Sequence, residues 1–523
     1  MITKNCSHYT PYLKSNILGD RRFFHFKLEG KKIDVLLIGR IDNYYDLRKM
    51  VSSDGICISC EEHLIALLYL AYGDHFVEKI RGIFVIVCNS DDSLFIYRDH
   101  SGIKTLYYAL LNQDFIFAFD FKSILPHLTS VDIDTSVLCE HIIFGFPISE
   151  GKTIFNKIQE LPKGHFIKFS KENLRVWPFQ ENSELACNHF HLQKIMGDNV
   201  QNILNSTVHT NDDVGVCISG GLDSSIVAIT IAQLHKNINF YTLTSSNANI
   251  DDVRFARKVA KNLHVYHEIV NIDLSDMFNN IIGFIKFSEH PGTSGILSSD
   301  NGDFSQYILL KNMKENLVFS GDGADELFCG YHWCHKSPSL FLNQLYQGYK
   351  SIFSPTEAID SFFMSSKSTS QKVYDLFLHN GLNYQSIILS KNTNHEICSP
   401  FISKDIIKYA NGKSKYSMAH APEKRILKLA YSKLFTDYNL LEVIGRPKLA
   451  MPTATTSVTN NFHLYLNEKA NDKGPFASFF TKKYEKVLFD IFAYIFLIKK
   501  GNFICDSVED LLHDNDFIKT MYN

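Results

Sequence analysis

The sequence predicts a mixed α/β chain in two parts. An α+β layered domain spans residues 1–185, and a doubly wound parallel sheet with a helical extension spans 186–523. Three observations predict it. Short apolar runs bounded by Gly and Asp/Asn/Ser clusters crowd the first ~180 residues around one helical stretch. From about residue 190, apolar strands alternate with helical segments, the pattern of a parallel sheet covered on both faces. After about residue 340 the chain reads as mostly helical.

In the first part, Asp34 to Gly39, Gly82 to Cys88, Ser93 to Tyr97 and Phe115 to Phe119 read as strands separated by turn signals. Between them, Leu64, Leu67, Leu68 and Ala71 give Glu61 to Tyr72 helical spacing. Leu161 to His165 is a turn into a further strand, Phe166 to Phe169, and the polar stretch Phe179 to Asn188 reads as the linker. In the second part the strands are Val214 to Ile218, Phe240 to Thr244, Val265 to Val270 and Leu317 to Ser320.

Composition excludes several classes. The 523 residues are 45% hydrophobic and 21% charged, which suits a globular chain and excludes a collagen-like or long disordered one. Lys+Arg 53 against Asp+Glu 56 leaves a net charge of −3, without the basic excess of a nucleic-acid binder. No run approaches the ~18 apolar residues of a membrane span. Val487 to Ile498 comes nearest and contains Asp490, so it reads as a buried helix, as do the phenylalanines around it (Phe476, Phe479, Phe480, Phe489, Phe492, Phe496). The start, Met1-Ile2-Thr3-Lys4, lacks a signal-peptide pattern, and eleven scattered cysteines fit reduced thiols, so a cytoplasmic location is expected.

Two loops carry the chemistry. Ser219-Gly220-Gly221-Leu222-Asp223-Ser224-Ser225 follows the Val214–Ile218 strand and opens a helix. Glycines let the backbone approach an anion, the serines add hydroxyls, and the new helix's first N–H groups point the same way. No Gly-Lys-Ser/Thr follows, so this is not a Walker A loop. Asp223 sits oddly beside phosphates unless a cation intervenes, which makes it a candidate Mg²⁺ ligand. The second loop, Ser320-Gly321-Asp322-Gly323-Ala324-Asp325-Glu326, also follows an apolar strand. Ligands of doubly wound sheets bind beyond the carboxyl ends of the strands, so Asp223 and Asp325 are expected to share metal bridging a triphosphate. Cys57, Cys60 and His63 have local metal-like spacing but no second pair at zinc-site distance. His332, Cys334 and His335 beside the second loop suggest packing or substrate contact.

Ser219 to Ser225 resembles the pyrophosphate-loop signature of ATP pyrophosphatases. With Ser320-Gly321-Asp322-Gly323-Ala324-Asp325-Glu326-Leu327-Phe328 and Gly330-Tyr331, the chain resembles the asparagine synthetase superfamily, which includes β-lactam synthetases and lasso-peptide macrolactam cyclases. Gly82-Ile83-Phe84, Arg98 to Tyr108 and Leu161 to His165 are similar to that family's N-terminal glutaminase-like domain. Val265 to Glu268, Glu396 to Phe401, Glu423 to Lys428 and Gly445 to Lys448 continue the likeness in order, over roughly residues 30–455. The resemblance implies an Ntn-hydrolase-like α+β sandwich followed by an ATP pyrophosphatase domain. It further implies ATP and Mg²⁺ as cofactors, with adenylation of a carboxylate and displacement of AMP by an amine.

The departures are as informative. Residue 2 is Ile where the family's glutaminases carry a cysteine, and the first cysteine is Cys6. The family's Asn-Gly-Glu glutamine-binding triplet is here Ile38-Gly39-Arg40. A glutaminase domain without glutamine hydrolysis, a structural relic, is expected. Asp322 stands where asparagine synthetases carry an acid and β-lactam synthetases a Tyr, and Cys398 replaces the arginine of Glu-x-Arg-x-Pro-Phe.

By family position, Ile218 and Thr242 line the adenine pocket, Ser320 and Gly321 contact the AMP half, and Lys448 faces the oxyanionic transition state. Asp322 or Glu396 orients or deprotonates the amine. The expected activity is an amide-forming ligase without glutaminase, foremost lasso-type macrolactam closure of a peptide, with a protease or peptide-delivery protein as partner. The alternatives are an asparagine-synthetase-like enzyme amidating a small acid such as aspartate, a β-lactam synthetase, and an inactive binding scaffold.

Overall fold

A computed structural model describes residues 2–4, 9–11, 23–28, 31–51, 58–90, 93–111, 114–170, 173–179, 190–207, 212–245, 250–291, 302–331, 339–340, 342–344, 346–347, 357–366, 372, 395–412, 424–446, 456–474 and 476–522. The expected linker and its boundary at 185 fall almost wholly outside them, as do Cys6, Cys57, His332, Cys334, His335 and Lys448.

The first part is two antiparallel sheets and a helix. A six-stranded sheet runs in the order Asn173–Pro178, His165–Ser170, Leu94–Arg98, Gly82–Ser90, Lys31–Ile41, Phe24–Leu28. A five-stranded sheet runs Tyr9–Pro11, Ile2–Lys4, Asp114–Ala118, Tyr107–Leu111, Gln159–Glu160. The alternation along Lys31–Ile41 explains the layering. Ile33, Val35, Leu37 and Ile41 pack with Leu64, Ile65 and Leu68 of the Glu61–Tyr72 helix. Leu36 and Ile38 turn to the other sheet, where they meet Phe115 and Phe117. A period of two thus buries both faces of one strand in different layers. This strand is longer than the expected Asp34–Gly39, and Asn173–Pro178 is an additional edge strand paired to His165–Ser170.

The second part is a five-stranded, wholly parallel sheet ordered Tyr266–Ile272, Ile238–Ser245, Val214–Cys217, Leu317–Phe319, Glu396–Cys398. Helices cover both faces. Ile226 and Val227 of Leu222–Leu234 and Val259 of Ile250–Leu263 pack on Val214, Val216 and Phe240. Ile281 of Leu274–Ser288 and Ile308 of Gly302–Lys311 pack with Tyr241, Val318 and Ile397 on the other face. Chain order reverses between Val214–Cys217 and Leu317–Phe319, so the crevice of this doubly wound sheet opens between the two loops.

The run read as a buried helix is one as far as Phe496; Ile498 is exposed, and Phe476, Phe479 and Phe480 lie half-buried around the short turn Ala477–Phe479 rather than within a buried helix. Lys483–Ala493 is helical and continues into a π-turn at Tyr494–Ile498. Phe489, Phe492 and Phe496 are buried, and Phe155 of the first part stacks on Phe492 with ring centroids 6.1 Å apart. The same cluster holds Tyr107, Ile116 and Ala118, so the C-terminal helix joins the two parts in one apolar core. Among the described residues, no helix is long and apolar enough to cross a membrane.

Candidate active site

The first loop is held from behind. Gly220 has φ +67°, and a Cβ there would lie 2.4 Å from the backbone N of Ala256, so only glycine lets the loop rest on the Ile250–Leu263 helix. Ser224 Oγ accepts the Ser219 N–H at 3.2 Å and donates to the Gly221 carbonyl at 3.3 Å, while the Gly221 N–H reaches Ser219 Oγ at 3.3 Å. The Arg446 guanidinium donates to the Ser219 carbonyl at 3.1 Å, lies 4.7 Å from the Phe255 ring centroid and pairs with Asp252. Ser219 is the exposed hydroxyl of the loop. Ser225 differs from its neighbours: its N–H is bonded to Gly221 O at 3.1 Å and its side chain is fully buried. Its part in anion binding is therefore restricted to the helix dipole.

Beside the loop, Thr242 Oγ1 donates to the Ile218 carbonyl at 2.5 Å and is left to accept from His267 Nε2 at 2.8 Å. Burial, then the nearby Arg257, takes His267 down to about 4, so this ring is neutral at pH 7. His267 belongs to the segment Val265 to Glu268, yet its contact with Thr242 was not legible before the strands were aligned.

The second loop lies against the first. A Cβ on Gly321 would sit 2.9 Å from the Ser224 N, which fixes how closely the two loops approach. The Ser320 N–H reaches Cys398 O at 2.9 Å, tying the loop to the last strand. Asp322 Oδ2 accepts from Ser320 Oγ at 2.8 Å and from Gln306 Nε2 at 3.2 Å, while its carbonyl accepts from Ser399 Oγ at 2.5 Å. Asp325 and Glu326 open the helix Ala324–Phe328. Glu326 is buried and accepts from the Tyr331 hydroxyl at 2.5 Å; burial, then the charge of Asp325, pushes it up to about 7.

Asp223 and Asp325 converge as the loop chemistry implies. The ammonium of Lys424 sits between them, paired with Asp223 Oδ2 and Asp325 Oδ1. Sequence reasoning missed Lys424, although it lies in the segment Glu423 to Lys428. Its partner is 201 positions away, and a lysine on a short motif carries no sign of what it will face. The donor set suits Mg²⁺, which takes one or two carboxylates and completes its shell with phosphate oxygens. Two aspartates gathered around one cation, beside an anion-binding loop, provide that half-shell. Among the described residues, no group of three His, Cys, Asp or Glu side chains forms a metal centre.

Glu396 begins the last strand of the sheet and meets Arg40 of the first part, whose Nη1 donates to Glu396 Oε1 at 3.4 Å. The structure therefore gathers Ile218, Ser219, Gly220, Gly221, Asp223, Ser224, Thr242, Ser320, Gly321, Asp322 and Asp325 around the sheet crevice. Glu396 stands below it at the junction with the first part, and Lys448 lies outside the described residues.

Comparison with known proteins agrees with both parts. The Glutamine amidotransferase domain model matches residues 26–180 and the Asparagine synthase model residues 197–383. The chain is 24% identical over 407 residues to Asparagine synthetase [glutamine-hydrolyzing] 1 of Bacillus subtilis (strain 168), covering 73% of this chain and 62% of that protein. It is 26% identical over 351 residues to the same organism's Asparagine synthetase [glutamine-hydrolyzing] 3, covering 61% and 55%. The chain thus spans about six-tenths of the length of the curated relatives it matches. A solved NH3-dependent NAD synthetase from Campylobacter jejuni subsp. jejuni NCTC 11168 is 19% identical over 37% of this chain and 85% of that one, with a TM-score of 0.21, too slight an overlay to carry an argument. Two family models, in the order in which the two halves of the fold occur, and the curated relatives together support a likeness to the asparagine synthetase superfamily over both parts of the chain.

Proposed function

We propose that the chain is an ATP-dependent carbon–nitrogen ligase that adenylates a carboxylate and joins it to an amine without hydrolysing glutamine. The observation that carries this reading is the convergence of Asp223 and Asp325, from the two loops at the sheet's switch point, beside the pyrophosphate-type loop. A carboxylate oxygen of the substrate attacks the α-phosphorus of ATP, the α–β anhydride bond breaks, and pyrophosphate leaves into the Ser219–Ser224 loop. Mg²⁺, when bound to Asp223 and Asp325, screens the charge between those carboxylates and the leaving pyrophosphate. Ile218 and Thr242 flank the base, and Ser320 and Gly321 the AMP half. The amine nitrogen then bonds to the acyl carbon, AMP leaves, and the nitrogen's proton passes to Glu396 or Asp322. Lys448 supplies the cation for the oxyanion that develops in this step.

Loss of glutamine use rests on Arg40. Where the family resemblance places a carboxylate that binds glutamine, this chain has a buried guanidinium bonded to Asp42 and Glu396. The amine therefore comes from elsewhere, and the reading extends to ring closure within a peptide, in a reducing cytoplasmic setting with a peptide-delivery protein or protease alongside. Asp322, an acid as in asparagine synthetases, supports a second reading: amidation of a small acid such as aspartate by free ammonia.

Isotope transfer tests the reaction class. With ¹⁸O-labelled aspartate, a β-amino acid and a linear precursor peptide offered in turn, the reading expects ¹⁸O in AMP and no glutamate from added glutamine. Formation of ADP and phosphate instead, or glutamate release, overturns it.

A further inference from the structure

Arg40 is an unusual residue for its place. It lies on the central strand Lys31–Ile41, on the same face as Ile38, and its side chain is only 6% exposed. A buried arginine demands partners, because its charge cannot be shed. It finds one within its own part of the chain, donating from Nε to Asp42 Oδ1 at 2.7 Å. The second comes from the other part, where Nη1 reaches Glu396 Oε1 at 3.4 Å across 356 positions of sequence. Its charge also acts on the buried thiol of Cys398, which shares a face with Glu396 on the same short strand, and Lys104 adds to that field. Glu396 is 26% exposed at the side chain, so its carboxylate keeps some contact with solvent while Arg40 holds Oε1.

We propose that Arg40 is a positioning residue of the ligase site, supplied by the glutaminase-like half, and that it sets the direction of the Glu396 carboxylate for the amine step. The inference rests on the reading above, in which Glu396 handles the amine. It makes the first half of the chain a working part of the second. The planar fork of arginine holds two carboxylates at once, which a lysine does less well. The family resemblance places an arginine where Cys398 stands. Arg40 brings a guanidinium to the same neighbourhood from the opposite side, which suggests a relocation variant.

The test uses the full chain with ATP, hydroxylamine as the amine, and whichever of aspartate, β-alanine or a linear precursor peptide supports ATP–pyrophosphate exchange. Arg40→Met is expected to keep exchange and the KM for ATP within about twofold, while hydroxamate formation falls by about 10- to 100-fold, the scale of a misplaced group. Arg40→Lys recovers part of the loss, and Arg40→Met with Cys398→Arg recovers more. In a Glu396→Gln background Arg40→Met adds no further loss, which a merely structural arginine would. Hydroxamate formation unchanged in Arg40→Met, or full additivity with Glu396→Gln, overturns the inference. If Arg40→Met does not fold, the Arg40→Lys and relocation variants carry the same comparison. Absence of exchange in the unaltered chain with all three carboxylates sinks the ligase reading itself, a separate outcome.

Discussion

Replacing Lys424 with Met removes the cation that separates Asp223 from Asp325 while keeping most of the side-chain volume. Lys424 is 5% exposed at the side chain, and the two carboxylates are 13% and 16% exposed. Removing one partner of a buried pair costs about 3–5 kcal/mol, since the charge left behind is neither solvated nor matched. Two carboxylates are left facing each other here, which raises the cost, but each keeps some contact with water, which lowers it. About 3 kcal/mol is a fair figure. At ~1.5 °C per kcal/mol for a part of this size, the second half should melt about 4–5 °C lower. Calorimetry of the full chain in EDTA reads this directly. Mg²⁺ should then restore much of the loss in Lys424→Met, because it replaces the cation between the two carboxylates, and without ATP it should do less to the unaltered chain, where the ammonium is present and no phosphate oxygens complete a Mg²⁺ shell. A variant as stable as the parent in EDTA and indifferent to Mg²⁺ would refute the claim that these three side chains form one electrostatic unit.

Gly220→Ala places a Cβ at positive φ and against the backbone of Ala256. About 2–4 kcal/mol of destabilisation should appear in denaturant unfolding, with weakened ATP binding in titration calorimetry. Asp490 is fully buried against Lys486 at 2.6 Å and Tyr522 at 3.0 Å, and burial pushes it up to about 6 from 3.8. The folded chain holds that proton more tightly than the unfolded one. The stability it confers is therefore complete below about pH 4 and is lost as pH rises through about 6. Asp490→Asn should accordingly gain on the parent by about 3 kcal/mol between pH 4 and pH 7 in unfolding free energy. A difference that does not change with pH would refute that assignment.

What could be read in advance, and what could not, follows from the range of the interactions. The two loops were legible because their chemistry is local: glycine, serine and aspartate directly after an apolar strand. The C-terminal helix was legible as an apolar run too short to span a membrane, although nothing in the run forecast that Asp490 would be matched by Lys486 one turn earlier and by Tyr522. The last strand, Glu396–Cys398, was not recognised as one. Three residues show no alternation, and it exists because the Leu317–Phe319 edge offers it hydrogen bonds. Asn173–Pro178 was missed for a related reason: it is an edge strand interrupted by Arg175. Lys424 was the deepest omission, and Arg40 was noticed only as the residue standing in the glutamine-binding triplet. Each is an ordinary cation in sequence and gains meaning only when the fold brings it to a carboxylate hundreds of positions away. The expectation that the first half is a relic considered only the change of the glutamine-binding triplet at Arg40, and not the contact that Arg40 makes.

The central claim is that ATP is cleaved between its α- and β-phosphates at the crevice between the two loops. ATP–[³²P]pyrophosphate exchange, measured with the full chain and with Asp223→Ala across aspartate, β-amino acids and a linear precursor peptide, tests it most directly. Exchange that depends on one of these carboxylates and disappears in Asp223→Ala is the predicted result. Exchange that proceeds unchanged in Asp223→Ala would contradict it.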